Sequence, residues 1–232
     1  MKNILVGLGV VAVVAVIGAA AYERMNKPSI PPSPQVTNAA SGAAPGAGAP
    51  ANSQAALQIR PTDMVIGNPD AKVTIIEYAS LTCPHCAVFH ANTLPALKER
   101  YLDTGKAKLA FRDFPLDGLA LRAAMVAHCA GNDRYFGMLG TLFARQMQWA
   151  TAQDPLLSIA GIARQAGMSE ETFKACIADK AVEKTVLDSA LEADKTLGVN
   201  STPTIFINGQ KFAGALTIEQ MAQVIDPLVG AN

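Results

Sequence analysis

Two cysteines separated by two residues, Cys83-Pro84-His85-Cys86, are the part of this sequence best suited to chemistry. A β-branched and aromatic run ends just before them and a helix-forming run begins at them, so the pair falls at a strand-to-helix junction. The first turn of a helix has unpaired N–H groups and the positive end of the helix dipole. A thiolate placed there is stabilised, so the Cys83 thiol is expected to be unusually acidic. Pro84 suits the first helical position, where its missing donor costs nothing. The His85 ring can stabilise the thiolate further, and Cys86 is within reach to close a disulfide. The chemistry implied is thiol–disulfide exchange. A substrate thiolate attacks Cys83 in the oxidised pair, a mixed disulfide forms, and a second substrate thiol releases Cys83. A stabilised Cys83 thiolate also makes the reduced form the stable one, which is the property of an oxidant.

Two other readings compete. Cys83, His85, Cys86 and His90 are four zinc-ligand types, but neighbours this close on one helix cannot readily surround a tetrahedral ion. An inert structural disulfide is the other. A second feature is Ser201-Thr202-Pro203-Thr204, just before the apolar run Ile205-Phe206-Ile207. A proline at a strand start can take the cis form, although residue statistics alone favour trans. If this loop lies beside the cysteine turn, the Thr202 backbone can pair with an extended substrate by strand addition.

The elements that must position these groups can be traced along the chain. Lys72 to Tyr78 reads as a strand covered on both faces. A helix should run from about Pro84 to Tyr101, kinked or split by Pro95. Lys106 to Phe111 reads as a second strand, completing a parallel β-α-β unit. A helical stretch comes next: Leu119 to Ala130, Asp133 to Trp149, a third helix capped by Asp154-Pro155, a fourth opened by Ser169, and a fifth ending at Gly198. Thr204–Ile207 and Lys211–Ala213 flank Asn208-Gly209, a type I′ hairpin signal. Thr217 to Gln220 is a capping box that opens a last helix. Phe89, Met138, Leu142, Phe143 and Met147 read as core, and His90 and His128 as structural.

Composition bounds the rest. The 232 residues carry 19 basic and 19 acidic side chains, and 50% are hydrophobic, which excludes a wholly disordered chain. Over 61–232 there are 15 Lys and Arg against 18 Asp and Glu, which leaves no footprint for nucleic acid. Four cysteines suffice for one redox motif and one structural bridge. Residues 1–27 contain an uncharged run over 4–21, which reads either as a signal peptide or as a retained membrane anchor. Either would export the remainder of the chain. Residues 28–60, rich in Pro, Ala, Gly and Ser, read as a flexible linker, and 61–232 as the folded domain.

Together EYASLTCPHC at 77–86, FRDFP at 111–115 and GVNSTPTIFINGQ at 198–210 resemble the DsbA family of disulfide oxidoreductases over about 65–229. The resemblance implies an α/β thioredoxin-like fold with an inserted helical block over about 116–198. It implies a cis Thr202–Pro203 bond, an exposed nucleophile at Cys83 and a buried partner at Cys86. Glu77 is implied to sit beneath the site and relay protons to Cys86, with Lys108 as its partner. Cys129 and Cys176 match the extra pair of an alphaproteobacterial subgroup and are expected to form a structural disulfide, with two separate buried thiols as the alternative. The function implied is a periplasmic thiol:disulfide oxidase acting on unfolded exported proteins. It would be monomeric, use no cofactor beyond the cysteine pair, and be reoxidised by a quinone-linked membrane partner of the DsbB or VKOR type. A reductase or isomerase on the same fold, and a non-catalytic chaperone or binding module, are the alternatives.

Overall fold

The computed structural model describes residues 51–230, so the apolar run over 4–21 and the linker over 28–50 lie outside the described residues. The last ten residues of the expected linker are not a linker. Ala51–Ala56 form a helix, α1, and Ser53 Oγ donates to the Thr196 carbonyl at 3.1 Å. The backbone carbonyls of Ala56 and Gln58 accept from Arg112 at 2.5 and 2.6 Å. A low-complexity composition does not preclude docking when a buried guanidinium needs acceptors.

The centre is a five-stranded mixed sheet in the order β1-β3-β2-β4-β5. Its strands are β1 (Met64–Gly67), β2 (Val73–Ala79), β3 (Ala107–Asp113), β4 (Thr204–Ile207) and β5 (Gln210–Ala213). β2 and β3 run parallel, and the other pairings are antiparallel. The strand β1 carries no signal in the sequence that distinguishes it from a loop, since four residues are too short for a period to show. The Asn208-Gly209 turn has φ of 45° and 86°, the left-handed pair that a type I′ hairpin requires.

The expected helix after β2 is a continuous run in four pieces. α2 (Pro84–Val88) leads into a π-helical turn over Phe89–Thr93, then α3 (Leu94–Leu97), then a second π turn over Lys98–Leu102. Pro95 has no N–H for the carbonyl four residues back, so the ladder widens there and Leu94 N–H reaches Phe89 O instead. The inserted block comprises α4 (Gly118–Cys129), α5 (Asn132–Ala144), α6 (Gln146–Ala150), α7 (Pro155–Gln165), α8 (Glu170–Ala178) and α9 (Lys180–Leu197). The expected single helix Asp133–Trp149 is broken at Arg145 (φ −108°, ψ 16°), which re-aims α6. Met147, read as core, is instead 65% exposed on α6. α10 (Ile218–Gly230) opens on the capping box: Thr217 N–H donates to Gln220 Oε1 at 2.8 Å, and Gln220 N–H to Thr217 Oγ1 at 3.3 Å.

Strand alternation sends alternate residues to opposite faces. Val73, Ile75, Leu109 and Ile205 pack with Phe89 and Leu97 of the α2–α3 run and with Met221 and Ile225 of α10. Ile76, Tyr78, Ala110 and Phe206 pack on the other face with Ala193 of α9. The inserted helices build a core of their own around Tyr135, Leu142 and Trp149, which reaches Cys83 and Cys86.

Candidate active site

Cys83 stands at the N-cap of α2, with an extended backbone (φ −80°, ψ 119°) and Pro84 in the first turn. The Cys83 N–H donates to Ser80 O at 3.1 Å, and Cys83 O accepts from Ala87 N–H at 3.2 Å, so the turn is held at both ends. The Cys83 thiol is lowered from 9.0 to about 5. The largest cause is a hydrogen bond from the Cys86 thiol; burial opposes it, and Thr202 and the Cys86 and His85 backbone N–H groups add to it. Cys86 moves the other way. Burial pushes its thiol well above the usual range, and its bond to Cys83 and the charge of Glu77 add to this. One cysteine is thus set up as a thiolate and the other as a thiol.

Cys83, the expected exposed member, is recessed instead. It is 4% exposed against 0% for Cys86. In its thiol form its sulfur donates to the Thr202 carbonyl at 3.3 Å. The loop carrying Thr202 and Pro203 is therefore the neighbour that the Cys83 turn needs, and the Thr202–Pro203 bond is cis. The Thr202 hydroxyl is buried with no hydrogen-bond partner, and it is a donor available to the Cys83 thiolate. His85 acts on the thiolate through its backbone, and its ring is exposed.

Glu77 is fully buried on β2, but Lys108 is not its partner. In the β2–β3 register Glu77 lies opposite Phe111 and Lys108 opposite Thr74. Lys108 shares its face with Ala110 and Arg112, not with Phe111, and its Nζ donates to Pro69 O at 2.7 Å. The partner of Glu77 is His90, whose Nε2 lies 3.2 and 3.1 Å from the two carboxylate oxygens. This side chain, read as structural, is also one of the four in the zinc reading. Its spacing of four residues after Cys86, one helical turn on the same face, is the signal that could have found it. His128 makes a second such pair, with Nε2 at 2.7 Å from Asp113 Oδ2.

The inserted block reaches the site directly. Gln146, buried at the start of α6, donates from Nε2 to Leu81 O at 2.7 Å and Cys83 O at 3.0 Å. Thr82 Oγ1 donates to Asp117 Oδ2 at 2.7 Å, and Asp117 Oδ1 in turn caps α4 at Ala120 N–H. Nothing in the sequence pointed to either contact, because the partners are 63 and 35 residues apart along the chain. Cys129 and Cys176 form a disulfide between α4 and α8, with Cα atoms 6.0 Å apart.

Residues 60–227 match a family model described as thioredoxin. A Rickettsia typhi protein named "Putative protein-disulfide oxidoreductase" is 33% identical over 73% of this chain. The chain spans 63% of that protein and 60% of its Rickettsia bellii counterpart. A Bacillus cereus protein named "Probable disulfide bond formation protein D" is 30% identical, and the match covers 64% of this chain and 71% of that one. Among solved structures, Wolbachia pipientis alpha-DsbA1 is 35% identical with a TM-score of 0.71, covering 77% of this chain and 96% of that one.

Proposed function

The chain belongs to the DsbA family of thioredoxin-fold thiol:disulfide oxidoreductases, and from that premise we propose that it is an oxidase that donates the Cys83–Cys86 disulfide to other proteins. One observation carries the choice of direction. Cys83 is held as a thiolate, with its thiol at about 5, while Cys86 is held as a thiol. A stabilised thiolate makes Cys83 a good leaving group and makes the reduced form the favoured one, so electrons flow toward this pair.

In the forward step a substrate thiolate attacks Cys83 Sγ, a mixed disulfide forms, and Cys86 leaves and takes up a proton. A second substrate thiolate then releases Cys83. The cysteine pair itself carries the two electrons, with no further cofactor. Thr202 and Pro203 present backbone for strand addition by an extended substrate. Leu116, Val88 and Met147, each at least half exposed on segments that frame the turn, suit unfolded chains rather than one folded partner. Glu77 passes protons to and from Cys86. The substrates are cysteine-containing exported proteins, met by a monomer on the periplasmic side. Reoxidation is by a quinone-linked membrane partner of the DsbB or VKOR type, and the run over 4–21 is the export signal or tether.

The test is the reduction potential of the pair, by equilibration of the full chain in glutathione buffers. Disulfide donors of this fold lie near about −120 mV and thioredoxin near about −270 mV. We expect a value well above about −200 mV. A thioredoxin-like value would move the protein to the reductase or isomerase reading. Turnover that survives Cys83→Ser would move it to a binding module.

A further inference from the structure

We propose that Glu77 and His90 act as one proton-holding pair for Cys86, in which His90 loads and unloads Glu77. The inference rests on the thiol–disulfide exchange reading and names the proton source that it requires.

The Cys86 sulfur alternates between a disulfide and a thiol, and it does so fully buried. A thiolate leaving from that position needs a proton that water cannot deliver directly. Glu77 is the acid whose charge acts on Cys86, and its partner His90 lies one helical turn beyond Cys86 on the same run. Yet Glu77 is itself fully buried, at 0%, and cannot exchange with solvent unaided. His90 sits on both its oxygens, and the His90 side chain is 4% exposed. Its ring is clamped, stacked on Phe143 with centroids 4.0 Å apart and set edge-on to Phe111 and Phe89 at 5.8 and 5.9 Å. A lysine or arginine would neutralise Glu77 equally well. Imidazole differs in being able to give up and regain a proton near neutral pH.

The groups facing the pair are few. α2 presents Cys83 and Cys86, and the π turn presents His90 itself. α5 presents the Tyr135 hydroxyl, which is buried without a partner and is pushed up by burial and by the charges of Asp113 and Glu77. β3 presents Asp113, paired with His128 of α4. β4 places Ile205 opposite Glu77. Lys108 and Arg112 lie on the other face of the sheet.

In the forward direction the substrate sulfur bonds to Cys83 Sγ, and the Cys83–Cys86 bond breaks with its electron pair on Cys86. With the pair holding one proton, on His90 Nε2, Glu77 accepts it and hands it to the Cys86 sulfur, which leaves the imidazole neutral. The pair is then one proton short and regains it from solvent through His90. When Cys86 attacks the mixed disulfide instead, its proton returns to the pair by the same route.

The experiment is single-turnover reduction of the oxidised full chain by dithiothreitol between about pH 4 and 9, corrected for reductant thiolate. Gln retains a donor to Glu77 but does not titrate. His90→Gln should slow the step at least about tenfold at neutral pH and flatten its pH profile. Glu77→Gln should do the same, and the double variant should be no slower than the slower single one. Lys108→Met should keep the wild-type profile. A His90→Gln profile that superposes on wild type, or single effects that multiply in the double variant, would overturn the pair. Nitrogen-15 NMR of the wild-type His90 ring needs no variant. The ring should titrate with the midpoint of the rate profile, and one protonation state throughout would overturn the proposal. The oxidase reading stands or falls separately, on the potential. A thioredoxin-like potential with the His90 effect intact sinks only that reading.

Discussion

At the scale of single residues the site is an asymmetry between two sulfurs three positions apart. Cys83 at the N-cap collects donors: the Cys86 thiol, Thr202 and the first-turn N–H groups. Cys86, one turn in, is dominated by burial and by a nearby carboxylate. The folded Cys83 value, about 5, lies below the ordinary 9.0. A depressed value stabilises the folded reduced protein fully above pH 9; the gain declines as pH falls and is gone below about pH 5. Cys86, raised, stays protonated across that window and contributes nothing there. At pH 7 the Cys83 contribution is about 3 kcal/mol. Iodoacetamide should therefore alkylate the reduced protein once, at Cys83, with a pH midpoint near 5. The stability of the reduced form should rise from about pH 5 to 7 relative to the oxidised form, in which neither sulfur titrates. A reaction midpoint near 9.0, or equal labelling of Cys86, would contradict the asymmetry.

At the scale of elements, register and helix breaks decide which side chains meet. Lys108 suggests itself as a partner for Glu77 because both are charged residues on neighbouring strands. One position of strand parity puts them on opposite faces. The break at Arg145 has the opposite effect. The helix restarts at Gln146, and in that position its amide reaches Leu81 O and Cys83 O. Gln146→Leu leaves the buried Leu81 carbonyl without this donor. It should cost about 1–3 kcal/mol of stability, read as a lower denaturation midpoint with an unchanged denaturant slope. No loss would mean that the turn is held by its own backbone bonds alone. The π turn at Phe89–Thr93 follows from Pro95, and His90 lies within it. A proline's missing N–H thus shapes the segment that carries the Glu77 partner.

At the scale of the whole molecule the fold is a sheet with helices on both faces and an inserted helical block closed on itself by Cys129–Cys176, 47 residues apart. Closing a loop of that length removes unfolded-state entropy worth on the order of 4 kcal/mol. The Cys129→Ala/Cys176→Ala variant should melt at a markedly lower temperature under oxidising conditions. Reductant should lower the wild-type midpoint toward the variant's. Equal melting of the two would show that helix packing alone holds α4 to α8. The α1 segment and residues 57–60 dock on this body through Arg112, which also bonds Asp63 and the Tyr78 hydroxyl.

Local features were legible in the order of residues without a fold. Proline, glycine and capping residues carry their own backbone preferences, so the caps at Asp154, Ser169 and Thr217, the Asn208-Gly209 hairpin and the Cys83–Cys86 junction could all be read along the chain. The family's longer motifs also located the Thr202–Pro203 loop and the helical insertion. Long-range outcomes came only with the folded chain. Packing set which face of the sheet Lys108 takes, that His90 is what meets Glu77, and that Gln146 reaches the cysteine turn. It also brought residues 51–60 into the domain. Those outcomes depend on strand register and on contacts between segments far apart in the chain; the spacing of His90 from Cys86 marks the helix face that His90 takes, but not the strand residue that meets it.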